Sequence, residues 1–196
     1  MELCLYQGTF NPIHNAHLRA AEYVLEHCNV DKILFIPAYI PPHKCCNKSA
    51  AVHRLNMVKL AAENDNRFEV SDIEFKLGGK SYTYRTICEL YRQYAPRNKI
   101  KFIIGTDAFK LIESWYETDK LKELVHFLVF LRENDFNEKE LNKLKEKGYE
   151  FEMMPLTFDD ISSTEIRQLA ANGRDLSKFV PKKVEEYIKQ NELYKN

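Results

Sequence analysis

The chain has 196 residues, 44% of them hydrophobic, which is enough for one sizeable core. Lysine plus arginine and aspartate plus glutamate number 29 each, so no net positive field draws the chain to nucleic acid. No apolar run approaches the ~18 residues of a membrane span, the N-terminus lacks a basic and apolar leader, and the five cysteines form no matched C-x-x-C pairs; together these point to a soluble protein in a reduced, cytoplasmic setting.

The first apolar run, Leu3–Tyr6, reads as a strand. Behind it Gly8-Thr9-Phe10-Asn11-Pro12-Ile13-His14-Asn15-Ala16-His17 sets two histidines three apart where the strand gives way to a helix. Glycine at position 8 lets the chain leave the strand with any φ, and Asn11, preceding a proline, is pushed out of the α region. His14 and His17 then fall in the first helical turn on one face, beside N–H groups that have no intrahelical partner and favour anions. That corner suits a triphosphate.

The helix continues with an apolar stripe at Leu18, Ala21, Val24, Leu25 and Cys28. A second strand, Ile33–Ile36, leads into the proline-rich loop Pro41-Pro42-His43-Lys44 and a helix striped by Leu55, Val58, Leu60 and Ala61. Adjacent Cys45 and Cys46 cannot usually both close one tetrahedral site, so no metal site is read there. Phe68–Val70 is a third strand, and Ile87, Leu90, Tyr91 and Tyr94 mark the next helix. Ile100–Ile104 is a fourth strand, followed by Gly105-Thr106-Asp107, and Phe127–Leu131 a fifth. The charge-rich stretch 133–148 carries Phe136, Leu141 and Leu144 at near-helical spacing and reads as a surface helix. Phe151–Met153 is the sixth strand. In Asp160-Ile161-Ser162-Ser163-Thr164-Glu165-Ile166-Arg167, Ser162 and Glu165 form an S-x-x-E capping box; Ile166, Leu169 and Ala170 give the stripe, and Gly173 occupies the position after the C-cap.

Strands alternating with helices imply crossover connections and a parallel sheet covered on both faces, an α/β, Rossmann-like doubly wound fold. We read residues 1–196 as a single domain whose C-terminal helical part covers about 162–196. Ligands of such sheets sit beyond the carboxyl ends of the strands. The segments starting at Gly8, Pro41, Gly105 and Ser162 each follow a strand, so four loops can converge on one cleft.

The first and last of these segments resemble the nucleotidyltransferase superfamily, with its N-terminal G-x-F-x-P-x-H-x-G-H and C-terminal I-S-S-T-x-x-R motifs. The resemblance extends through Ile36-Pro37-Ala38-Tyr39-Ile40-Pro41-Pro42-His43-Lys44, His53-Arg54-Leu55-Asn56-Met57, Ser81-Tyr82-Thr83, Ile104-Gly105-Thr106-Asp107 with Trp115, and Val180-Pro181 through Ile188 with Leu193-Tyr194. This set, in this order, is similar to the bacterial-type nicotinate-nucleotide adenylyltransferases. Three positions depart from the family pattern: Ala16 stands for glycine, Thr106 for alanine and Arg85 for an acidic residue. Ala16 is expected to alter affinity rather than abolish activity, and Arg85 to lie on a solvated helix surface.

The resemblance implies adenylyl transfer from ATP to nicotinate mononucleotide, giving nicotinate adenine dinucleotide and pyrophosphate in NAD biosynthesis. It assigns His14, His17, Lys44 and Arg167 to catalysis. Gly8, Thr9, Phe10, Gly105, Asp107, Ile161, Ser162, Ser163 and Thr164 would bind ATP, and Asn11, Lys44, Tyr82, Thr83 and Trp115 the nicotinate mononucleotide. Mg²⁺ is expected with ATP, held mostly by phosphates. A mononucleotide phosphate is already ionised and needs no strong base, in keeping with a chain that shows no Ser/His/Asp or Cys/His constellation. Backbone N–H groups and hydroxyls of 81–83 would suit a carboxylate, whereas an amide also needs an acceptor; the residues alone do not choose between the two. A homo-oligomer is compatible with the sequence and not read from it.

Two other readings are weighed against this one. Pantetheine-phosphate adenylyltransferase and glycerol-phosphate cytidylyltransferase share the histidine motif, but the former usually has threonine where His14 stands and neither carries the Pro-Pro-His-Lys and Ser-Tyr-Thr set. A non-catalytic nucleotide sensor would explain Ala16, yet His14, His17, Lys44 and Arg167 are all intact.

Overall fold

The computed structural model describes residues 2–42, 48–131, 138–157 and 162–195. His43, Lys44, Cys45, Cys46, Phe136, Asp160 and Ile161, all singled out above, lie outside the described residues.

Along the chain run β1 (Leu3–Gly8), α1 (Asn15–His27), β2 (Lys32–Pro37), α2 (Lys48–Ala62), β3 (Phe68–Val70), α3 (Ile73–Leu77), α4 (Thr83–Tyr94) and β4 (Ile100–Gly105). They are followed by α5 (Thr106–Phe109), a 3-10 turn (Ile112–Ser114), α6 (Thr118–Leu121), β5 (Val125–Leu131), α7 (Glu138–Glu146), β6 (Phe151–Thr157), α8 (Ser163–Ala171) and α9 (Lys182–Gln190). The six expected strands are all present. They form one sheet in the order β3-β2-β1-β4-β5-β6, and every pair is parallel. This is the doubly wound Rossmann order, with its reversal between β1 and β4.

The strands read as unbroken apolar runs because both faces are covered. In β1, Leu3 and Leu5 join one core and Cys4 the other; in β4, Phe102 and Ile104 face the first and Ile103 the second. One layer is closed by α1, α2, α8 and α9 through Ala20, Val24, Met57, Val58, Ile166, Val184 and Ile188. The opposite layer is closed by α3 to α7 through Ile73, Ile87, Leu90, Phe109, Leu121, Leu141 and Leu144. The short helices α3, α5 and α6 are not legible as periodic stretches. Each is too short to repeat a stripe, and each is pinned by a fully buried residue, Ile73, Phe109 or Leu121.

Helix α8 is closed at both ends as the sequence requires. Its C-terminus is a Schellman motif, in which Gly173 (φ +63°) donates its N–H to Ala170 and Arg174 donates to Leu169.

The sheet opens where the order reverses. Ladder pairs between β1 and β4 are confined to Cys4 with Lys101 and Leu5 with Phe102, whereas β1 pairs with β2 out to Gly8 and β4 with β5 out to Gly105. The carboxyl ends of β1 and β4 therefore part. The crevice between them is where such sheets bind ligands.

Candidate functional site

One wall of the crevice is the β1–α1 loop. Gly8 is needed there for close approach, not for an unusual φ: a Cβ would meet the Phe10 ring at 3.0 Å. Phe10 itself takes the left-handed region (φ 47°), and Asn11-Pro12 is a cis peptide. His14 is the N-cap of α1 with extended backbone, rather than a residue of its first turn, and His17 is at the third helical position. The His14 N–H donates to His17 Nδ1 at 3.2 Å, and the two rings stack with centroids 3.6 Å apart. Tyr6 and Phe10 pack edge-on against the His17 ring at 5.8 and 5.1 Å. Both histidines are largely withdrawn from solvent, His14 at 2% and His17 at 9% exposure. Because His17 Nδ1 accepts a backbone hydrogen, its proton sits on Nε2, which makes the outer edge of the ring a donor.

The N-terminus of α8 packs directly against this loop. Ser162 Oγ accepts from the Glu165 N–H at 3.2 Å, and Glu165 Oε2 accepts from the Ser162 N–H at 2.6 Å, the expected capping box. The Ser162 N–H, and its hydroxyl donating to the same oxygen at 2.8 Å, hold the Glu165 carboxyl below its ordinary range. Ser163 Oγ donates to the Pro12 carbonyl at 3.0 Å. Arg167 donates through Nη1 to the Asn11 carbonyl at 2.9 Å and through Nη2 to Thr164 Oγ1 at 3.1 Å. From the segment after α9, the Tyr194 hydroxyl donates to Asn11 Oδ1 at 2.8 Å. Burial pushes the Tyr194 phenol up, opposed by the nearby Arg167 and Arg54 charges. The two motifs picked out at opposite ends of the sequence thus meet through Asn11 and Pro12.

Two further residues complete the framework: Arg54, from the His53–Met57 segment quoted above for its resemblance, and Glu74, which nothing in its neighbouring sequence marks. Arg54, 1% exposed, donates to the Thr9 carbonyl at 2.8 Å and to the Tyr39 carbonyl at 3.0 Å, joining the chain after β1 to the chain after β2. Glu74, 3% exposed, accepts from the Tyr39 N–H at 3.0 Å, from the Thr86 hydroxyl at 2.8 Å and from the Gln7 side chain. Burial raises the Glu74 carboxyl above its ordinary 4.5, against the hydroxyls of Ser81 and Thr86, the Tyr39 N–H and the Gln7 amide. A raised folded-state value means that the native protein binds this proton more tightly than the unfolded chain, so its contribution to stability falls as pH rises past 4.5 and through the folded-state value. Glu74→Gln is expected to remove that slope. Urea unfolding of both proteins from about pH 4 to 7 should show the wild type losing stability relative to the variant as pH rises; parallel curves would refute it.

Tyr82 is the N-cap of α4 and Thr83 its first residue. They are placed by Ser81, whose N–H donates to the Ile40 carbonyl at 2.9 Å and whose hydroxyl accepts from the Ile40 N–H at 3.1 Å. Gly105 is the N-cap of α5, and Asp107 is exposed in that helix's first turn, beside the parting of β1 and β4. Trp115 is half-buried and packs edge-on against Phe102 at 6.2 Å, on the face closed by α3 to α7. Thr9 enters through its carbonyl. The structure thus joins Thr9, Phe10, Asn11, His14, His17, Ser163, Thr164 and Arg167 by direct contacts. Tyr82 and Thr83 start α4, and Asp107 and Trp115 follow β4. Among the described residues no three His, Cys, Asp or Glu side chains gather as a metal site, and no helix is long and apolar enough to cross a membrane.

Residues 5–169 match the cytidylyltransferase-like family model. A protein of Clostridium botulinum (strain Kyoto / Type A2), named probable nicotinate-nucleotide adenylyltransferase, is 41% identical over 194 residues, 96% of each chain. A Syntrophotalea carbinolica protein of the same name is 39% identical over 215 residues, covering 100% of this chain and 98% of its own. In three dimensions the chain is similar to Plasmodium falciparum nicotinic acid mononucleotide adenylyltransferase complexed with NaAD, with TM-score 0.76, 21% identity and coverage of 98% and 96% of the two chains. That likeness bears on the fold alone, and it agrees with the strand order described above. On the family match and the full-length relatives together, the chain belongs to the cytidylyltransferase-like family and, within it, to the nicotinate-nucleotide adenylyltransferases.

Proposed function

We propose that the crevice transfers the adenylyl group of ATP to nicotinate mononucleotide. The single observation that carries the reading beyond family membership is the direct bonding of the loop that carries the His14–His17 corner to the capped, hydroxyl-rich start of α8. In the reaction an oxygen of the mononucleotide phosphate attacks the α-phosphorus of ATP. A new P–O bond forms, the bond to the β-phosphate oxygen breaks, and pyrophosphate leaves with the electron pair. The protein's task is to hold two polyanions in line and to place donors where negative charge grows.

His17, with its proton on Nε2, donates to the phosphates, and His14 orients it through the N-cap N–H. Gly8, Thr9 and Phe10 shape the floor, and Ser162, Ser163, Thr164 and Arg167 bind the leaving pyrophosphate; Ile161 and Lys44, which the resemblance assigns to ATP and to the transferring and acceptor phosphates, lie outside the described residues. Asp107, next to Gly105, is placed to accept from a ribose hydroxyl. Asn11, Tyr82, Thr83 and Trp115 receive the nicotinate mononucleotide. Mg²⁺ enters with ATP as part of the substrate; a described site with no cluster of carboxylates fits a metal held by phosphates better than a resident one.

The test is pyrophosphate release from ATP and Mg²⁺ with nicotinate mononucleotide, nicotinamide mononucleotide and phosphopantetheine supplied separately. Release mainly with nicotinate mononucleotide is expected. Preference for another acceptor would overturn the substrate, and silence with all three by a protein that binds ATP would overturn catalysis.

A further inference from the structure

At the carboxyl edge, α3 and α4 enclose a recess lined by Glu74, Lys80, Ser81, Tyr82, Arg85 and Thr86, among others. It is bonded to the phosphate corner through Glu74, which accepts from Gln7 of β1 on one side and from Thr86 of α4 on the other. Arg85 is exposed on α4, as its helix position leads one to expect, and it also lies against two aromatic rings. Its guanidinium lies 5.4 Å from the Tyr82 ring centroid and 5.7 Å from that of Tyr116, and those two rings are themselves 4.7 Å apart. Among the described residues it meets these aromatic faces and no carboxylate. Attraction of the cation to the two ring faces favours this placement without neutralising the charge.

The charges around the recess are unequal in what they offer a ligand. Arg85 and Lys80 are the cationic residues of the lining. The one acid of the lining, Glu74, is buried, and its oxygens are already bonded to Tyr39, Thr86 and Gln7. A ligand entering beside Tyr82 therefore meets a positive rim. We propose that Arg85, which lies over the Tyr82 and Tyr116 rings, is a specificity-determining residue that favours an acidic pyridine mononucleotide over its neutral amide. This rests on the acceptor reading above and adds the residue that separates the two acceptors. The carboxylate gains attraction from the rim and the carboxamide does not, whereas phosphate and ribose are common to both. The difference is thus confined to the pyridine substituent.

The test compares kcat/KM for nicotinate and nicotinamide mononucleotides in the wild type, Arg85→Gln and Arg85→Lys. If the amide is not turned over, its inhibition constant against the acid supplies the second number. Arg85→Gln is expected to lower the acid-to-amide ratio about fivefold to tenfold, mainly through KM for the acid, and Arg85→Lys to restore most of it. General damage to the fold lowers both acceptors alike and leaves the ratio in place. Raising salt from about 0.05 to 0.5 M should narrow the wild-type ratio and leave that of Arg85→Gln nearly flat, since a rim charge is screened over a Debye length of ~10 Å at 0.1 M. An unchanged ratio in folded Arg85→Gln overturns the proposal while the acceptor reading stands. A wild type that rejects nicotinate mononucleotide outright overturns the acceptor reading first and this inference with it.

Discussion

His17→Ala is expected to cut the rate of adenylyl transfer by a hundredfold to a thousandfold while the protein stays folded. Loss of one fixed donor aimed at developing phosphoryl charge costs about 3 kcal/mol in the transition state. His17 is such a donor because its other nitrogen accepts the His14 N–H and its faces are held by His14, Tyr6 and Phe10, so little reorientation is needed as charge builds. The structural cost is smaller. The variant loses one bond at the start of α1, about 1 kcal/mol, and the ring's edge-on packing, while the apolar layers on both faces of the sheet keep all their side chains. Single-turnover rates beside a thermal melt separate the two effects. Near-wild-type turnover by a folded variant would remove His17 from the chemistry.

Arg54→Met is expected to destabilise the protein more than any other substitution proposed for it. The side chain is fully enclosed and makes two charge-assisted bonds, each contributing about 1.5–3 kcal/mol, and methionine would leave the Thr9 and Tyr39 carbonyls without those donors. A loss of at least about 3 kcal/mol in urea unfolding is expected from the pair of bonds. Arg54→Lys should recover little of it, because one ammonium on a flexible stem cannot span two carbonyls as a rigid fork does. KM for ATP should rise as well, since both carbonyls belong to loops that border the crevice. A loss under about 1 kcal/mol would mean that these contacts add nothing to the fold.

The sheet is legible in the sequence because strands buried on both faces appear as continuous apolar runs such as Ile100–Ile104, whose order and parallel pairing the crossover helices dictate. The capping box at Ser162 and Glu165 is legible because it is local, spanning three residues. Family resemblance supplies the roles assigned to the motif residues. Glu74 and Arg54 are not legible as framework residues. What distinguishes them is partners 67 and 45 positions away and near-complete burial, neither of which leaves a mark on the neighbouring sequence. Arg85 reads from its helix position as solvated; it is indeed exposed, but its contacts with Tyr116, 31 residues on, are tertiary. For Gly8 the sequence points to the right residue for the wrong reason, since the Phe10 ring lies over it only once the loop has folded back.

The loop at residues 9–12 is bonded to residues 45, 151, 156 and 183 positions away, through Arg54, Ser163, Arg167 and Tyr194. Closing such long loops is entropically costly and slow compared with forming the β1–β2 pair, whose partners are 29 residues apart. An intermediate can therefore hold most of the sheet while α8 and the segment after α9 are still undocked, and in it the loop has lost three of those four tethers. The shape of this loop therefore depends on segments distant in the chain, and undocking of the C-terminal helices in partial unfolding is expected to release it.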